Sequence, residues 1–132
     1  MTTRATGTVE TKSWDETPYS EVDGGPKLTR TVGVDQYHGD VEGEATYAGI
    51  TVYETSGAAT FLSVLRVVGK IGDRRGSFVL ELDGKVDATG ATTANWKVRP
   101  GSGTDGLAGL TGTGDLTYTE TENSFTLDYD FD

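Results

Sequence analysis

Apolar and polar residues alternate with a period of two along most of this chain, the pattern of half-buried strands. From Ala5 to Trp14, Gly7, Val9, Thr11 and Ser13 fall on one face. Thr8, Glu10, Lys12 and Trp14 fall on the other. Two prolines and a glycine pair break the pattern over residues 16–26, which reads as a loop. Lys27 to Tyr37 is a second strand, with Leu28, Arg30, Val32, Val34 and Gln36 on one face. His38-Gly39-Asp40 reads as a turn. A long third strand follows, Val41 to Glu54, in which Gly43 and Gly49 mark a bulge or a close crossing.

Thr55-Ser56-Gly57 turns the chain into Ala59 to Val68, which is apolar on both faces. Phe61, Leu65 and Val67 lie on one side, Leu62, Val64 and Val68 on the other, with Ser63 and Arg66 interrupting. Such a strand needs a second covering surface, and in a barrel without helices another subunit supplies it. Residues 69–74 read as a loop. Gly76 to Asp83 is a strand with Phe78, Leu80 and Leu82 toward the core. The next reversal falls either at Asp83-Gly84 or near Asp87 to Ala91. Thr92 to Arg99 alternates again, with Ala94, Trp96 and Val98 on one side.

The glycine-rich stretch 100–112 holds one helical turn at Thr104 to Leu110, capped by Thr104 or Asp105, with Leu107 and Leu110 inward. Gly112 to Thr119 and Asn123 to Phe131 are the last strands. In the last, Phe125, Leu127, Tyr129 and Phe131 point one way. The whole reads as seven or eight short-turned strands in a meander, one all-β domain over residues 1–132. Its sheet must close on itself or pair with a second sheet, and closure into an antiparallel barrel also removes exposed edges.

Composition narrows the functions. The net charge is −10, from 11 Lys and Arg against 21 Asp and Glu. That field repels phosphate backbones and anionic lipid, so no nucleic-acid or membrane partner is expected. There is no cysteine, hence no disulfide and no thiolate chemistry. The start MTTRATGTVE lacks the apolar run of a signal peptide, which makes a cytoplasmic protein the expectation. Glycine, at 19 residues, suits tight turns and bulges.

No strong catalytic motif stands out. His38 is the sole histidine and reads as an exposed turn residue. Asp40, Glu42 and Glu44 lack the spacing of a calcium loop and read as a solvent face, so no metal site is expected. Residues 100–114 lack the lysine and the strand–turn–helix frame of a phosphate loop. Gly101-Ser102-Gly103 is not a nucleophile elbow, and no cofactor is implied. Arg66, set among apolar residues, either points outward to a surface or interface, or points inward to an anionic or enolate oxygen.

The aromatics are the better candidates. A small barrel is either filled or just wide enough for one small ligand. Trp14, Tyr47, Phe61, Leu65, Phe78, Trp96 and Phe125 are the residues expected to line such a pocket. Tyr53, Tyr129 and Arg66 are those expected to act on a guest's polar group.

Four separated motifs carry a family resemblance. They are Ala5-Thr6-Gly7-Thr8 with Lys12-Ser13-Trp14-Asp15-Glu16; Gly39-Asp40-Val41-Glu42-Gly43-Glu44; Arg75-Gly76-Ser77-Phe78-Val79-Leu80; and Pro100-Gly101-Ser102-Gly103-Thr104 before Leu107-Ala108-Gly109-Leu110. In this order they resemble the bacterial DUF3224 family over essentially the whole chain. That resemblance implies an allene-oxide-cyclase-like fold: a closed eight-stranded antiparallel barrel, commonly oligomeric, with a cavity inside. The family usually has an acidic residue before the arginine of the fourth strand, where this chain has Leu65-Arg66. It also usually has a Glu-Tyr pair where this chain has Ala48-Gly49. The departures imply a roomier interior that has lost acidic groups and favours an apolar guest.

Two functions follow as expectations. One is a cofactor-independent cyclase or isomerase that shapes a polyene or polyketide-like substrate, with tyrosines or Arg66 stabilising an enolate. The other is a non-catalytic binding protein for a small hydrophobic molecule. A homo-oligomer is expected for either.

Overall fold

The computed structural model describes residues 2–119 and 121–132. Eight strands follow in chain order: β1 (Thr3–Ser20), β2 (Lys27–Gly39), β3 (Val41–Tyr53), β4 (Ala59–Ile71), β5 (Arg74–Val86), β6 (Thr92–Val98), β7 (Leu110–Tyr118) and β8 (Asn123–Phe131). Each pairs antiparallel with its sequence neighbour, and β1 pairs with β8 to close the barrel. The short connections force this meander. At the β2–β3 reversal Gly39 has φ of 113°, a conformation that only glycine adopts without strain. The reversal is tied to β1: the Asp40 amide donates to Thr6 O at 3.0 Å, and the Thr6 amide donates to Asp40 Oδ2 at 2.9 Å.

Several boundaries differ from the sequence expectation. β1 does not stop at Trp14 but continues through Pro18 to Ser20. Beyond Thr8 it pairs with β2 alone, so the missing N–H of Pro18 breaks no second ladder. β4 and β5 likewise run through most of the expected loop and turn only at residues 72–73. The β5–β6 reversal is the later one. There Asp87 Oδ1 accepts hydrogen bonds from the Thr89 and Ala91 amides.

One extra residue in β1 re-phases it. Thr11 lies opposite Asp35 and Ser13 opposite Val34, so Lys12 is a bulge. Above the bulge Trp14 and Glu16 join the inward face, whereas Glu10 and Lys12 stay outside. The expectation that Glu10, Lys12 and Trp14 share a face fails for this reason.

The interior has two zones. In the lower part Val41, Val67, Ile71, Phe78, Leu80, Leu110 and Leu127 are buried. The floor is plugged by Leu107 from a single 3₁₀ turn at Asp105–Leu107, shorter than the turn expected over residues 104–110: Thr104 makes no side-chain cap bond, and Leu110, buried as expected, opens β7 instead. The loop before that turn covers the part of β5 that β6 does not reach. Ser102 Oγ accepts from the Val79 amide and Thr104 Oγ1 from the Ser77 amide, both at 3.0 Å. At the waist Tyr37, Trp96 and Phe125 pack ring against ring, with centroids 5.5 to 5.8 Å apart. The Trp96 indole donates to Thr126 O at 2.8 Å. This layer closes the lower interior.

The upper zone inverts the usual polarity. In β2 the inward positions are Thr29, Thr31, Gly33, Asp35 and Tyr37, and the apolar Leu28, Val32 and Val34 face outward. The outer wall is apolar over β3 and β4 too, with Leu62 59% and Val64 55% exposed. Pairing aligns an outward row across four strands: Arg30, Ile50, Leu62 and Asp83. No helix is long and apolar enough to cross a membrane among the described residues.

Candidate functional site

Above the aromatic waist the barrel opens into a cavity of about 290 Å³. Its walls come from successive strands: Trp14 and Glu16 of β1, Thr31 of β2, Tyr47 and Tyr53 of β3, Phe61 and Ser63 of β4, Val86 of β5. Gly49 stands in register between Thr31 and Ser63 and brings no side chain, which leaves room there. Trp14 is 61% exposed and forms the rim. Wider depressions, up to about 1040 Å³, lie on the outer wall beside Leu62 and Asp83, but they are open grooves. The mouth is the place where aromatic surface and polar groups converge inside the barrel.

The polar centre of the mouth is Glu16. Its Oε2 accepts hydrogen bonds from the Thr29 hydroxyl and the Tyr53 hydroxyl, each at 2.5 Å. Thr29 is almost fully buried, and this bond satisfies it. Burial, then the hydrogen bond to Glu16, pushes the Tyr53 phenol up to about 12, so Tyr53 stays a donor. The Lys27 ammonium lies 5.0 Å from the centre of the Tyr53 ring.

A second interior carboxylate, Asp35, lies deeper on β2, opposite Thr11 and Ala45. Burial pushes it up to about 6, and among the described residues no hydrogen-bond donor offsets that cost. It in turn helps hold the Tyr47 phenol up at about 12, after burial. The interior is therefore not stripped of acidic groups. Leu65 is buried in core packing, and Glu16 and Asp35 supply carboxylates from β1 and β2.

The expected site residues separate. Trp14, Tyr47, Tyr53 and Phe61 meet at the mouth. Leu65, Phe78, Trp96 and Phe125 are buried in the packed zone. Tyr129 packs on Phe131 with ring centroids 5.9 Å apart, away from the mouth cavity. Arg66 is exposed on the outer wall, the outward of its two alternatives. Glu16, Thr29 and Asp35 went unrecognised. Glu16 lies in the stretch 16–26 expected to be a loop, and the inward face of β2 is the more polar of its two.

His38 is exposed, with Nε2 3.1 Å from Glu10 Oε1 and Nδ1 3.7 Å from Glu42 Oε2. Among the described residues no group of three His, Cys, Asp or Glu side chains is placed to hold a metal ion.

No curated protein matches the chain. A protein of unknown function from the DUF3224 family of Shewanella oneidensis MR-1, solved as a crystal structure, superposes with a TM-score of 0.81 at 25% identity. The match covers 100% of this chain and 99% of that one. Residues 5–131 match the family described as "Protein of unknown function (DUF3224)". The eight-stranded barrel with its open mouth thus belongs to a member of the DUF3224 family.

Proposed function

We propose that this barrel binds one small, mostly apolar molecule in its mouth. The observation that carries the reading is the cavity of about 290 Å³, walled by Trp14, Tyr47, Tyr53 and Phe61 around Glu16. Aromatic walls supply contact area, and a few fixed polar groups orient the guest. The volume suits a guest of one or two rings. Calorimetric titration with naphthalenemethanol tests this. Trp14→Ala and Phe61→Ala should each weaken binding about tenfold, and no binding by the wild type rejects the reading.

A cofactor-independent cyclisation or isomerisation is the catalytic form of the same proposal. Tyr53 would steady a carbonyl oxygen and Glu16 would move the proton, because Arg66 and Tyr129 lie elsewhere. Turnover of a polyene or polyketide-like substrate, lost in Glu16→Gln, separates catalysis from simple binding.

We propose further that the outer wall pairs with a second copy of this chain. The row Arg30, Ile50, Leu62 and Asp83 is apolar in the middle with opposite charges at its ends. A two-fold axis along the strands sets each Arg30 against the other copy's Asp83, a self-complementary contact.

A further inference from the structure

The mouth-cavity reading leaves open the charge of the guest, and the inference below rests on that reading. Glu16 Oε2 takes both the Tyr53 and the Thr29 hydroxyls. Among the described residues Oε1 accepts no hydrogen bond and Glu16 forms no ion pair. Two donated hydroxyls suit an ionised carboxylate, which only accepts. A carboxylate partly removed from water, with no cation within ion-pair distance, costs free energy that a bound cation offsets.

The walls favour the same sign. Trp14, Tyr47, Tyr53 and Phe61 present rings whose faces attract positive charge. The Tyr53 ring already has the Lys27 ammonium 5.0 Å from its centre. Asp35 adds a second carboxylate deeper in the barrel, and the chain's net charge of −10 reinforces the field. An anionic or enolate guest meets repulsion at both carboxylates and at the ring faces, and only the Lys27 ammonium favours it. A neutral hydroxyl satisfies Oε1 but leaves the charge uncompensated.

We infer that the mouth takes a small amine: a protonated nitrogen donating to the free oxygen of Glu16, with an apolar body against the aromatic walls. Such a nitrogen gains both a charge-assisted hydrogen bond and the ring faces.

Three probes of one shape test it by calorimetry at neutral pH: naphthylmethylamine, naphthalenemethanol and naphthoate. The amine should bind about tenfold tighter than the alcohol, and naphthoate weakest. Glu16→Gln should lower the amine to the level of the alcohol and leave the alcohol nearly unchanged. Tyr53→Phe keeps the carboxylate and should keep the amine preference. Should Glu16→Gln fail to fold, the wild-type order and Tyr53→Phe decide. Equal binding of all three probes, or an amine preference that survives in folded Glu16→Gln, overturns the amine while the mouth cavity stands. Binding by none of them, or affinities that Trp14→Ala and Phe61→Ala both leave untouched, overturns the cavity reading itself.

Discussion

The Tyr53 hydroxyl donates to Glu16 Oε2 at 2.5 Å, reaching from β3 to β1 past the whole width of β2. Thr29, on the strand between, donates to the same oxygen. One carboxylate thereby ties three strands together at the mouth, where β1 has lost its pairing with β8. Tyr53→Phe should cost about 1 kcal/mol, since Thr29 still serves the carboxylate. A double-mutant cycle of Tyr53→Phe with Thr29→Val, read by urea unfolding, should show the two losses to be non-additive. Strict additivity would mean that the two bonds do not share an acceptor.

Asp35 gives the fold a pH dependence of its own. Its carboxyl is pushed up to about 6 by burial, above the ordinary unfolded value. The folded state therefore holds the proton more tightly than the unfolded chain. The stability this provides is complete below about pH 4 and is lost as pH rises through about 6. The loss is roughly 2 kcal/mol after allowing for partial solvent screening. Asp35→Asn should remove this slope and leave the variant more stable than the wild type at neutral pH. Unfolding curves from pH 3.5 to 7.5 on both proteins check it. Parallel profiles would show that Asp35 does not titrate in that window.

The filled waist predicts a contrast with the mouth. Trp96 packs on Tyr37 and Phe125 and spends its indole N–H on Thr126. Trp96→Ala should cost about 4 kcal/mol. Trp14→Ala, on the exposed rim, should cost under about 1 kcal/mol while weakening the guest. Chemical denaturation beside calorimetry reads both numbers. A small cost at Trp96 would mean that the waist is open.

The outer row predicts an assembly that charge alone can take apart. Leu62→Lys sets like charges across the proposed two-fold contact, so sedimentation should show the monomer, with the fold intact by circular dichroism. The pair Arg30→Asp with Asp83→Arg should restore association that either change alone weakens. A wild type that sediments as a monomer rejects the contact.

Much of the barrel was legible as alternation. The last strand, Asn123 to Phe131, and the inward Leu107 and Leu110 follow directly from apolar spacing, because these positions lie in the filled zone. The mouth was not legible, for the opposite reason. In β2 the apolar residues Leu28, Val32 and Val34 look like a core face, yet the inside of the mouth is Thr29, Thr31, Gly33 and Asp35. An interior that keeps polar groups erases the signal by which interiors are recognised. Pro18 hid the rest, since a proline in a strand is tolerated only where one edge is unpaired, and pairing is not written in local sequence. Leu65, Phe78, Trp96 and Phe125 were expected around a guest because hydrophobicity marks burial without saying whether the space beside it is full.

The bulge at Lys12 has a consequence for how this site can change over generations. What keeps Trp14 and Glu16 indoors is that β1 sets one residue out of the pairing before them, not the identity of the one that bulges. Lys12 is exposed, so almost any side chain will serve in its place. Losing the residue altogether would leave Thr11 opposite Asp35 and Ser13 opposite Val34 in unbroken alternation, so Trp14 and Glu16 would keep the cavity face. At this position the site is forgiving of spelling and of a lost letter alike, provided the strand never draws the extra residue into the ladder.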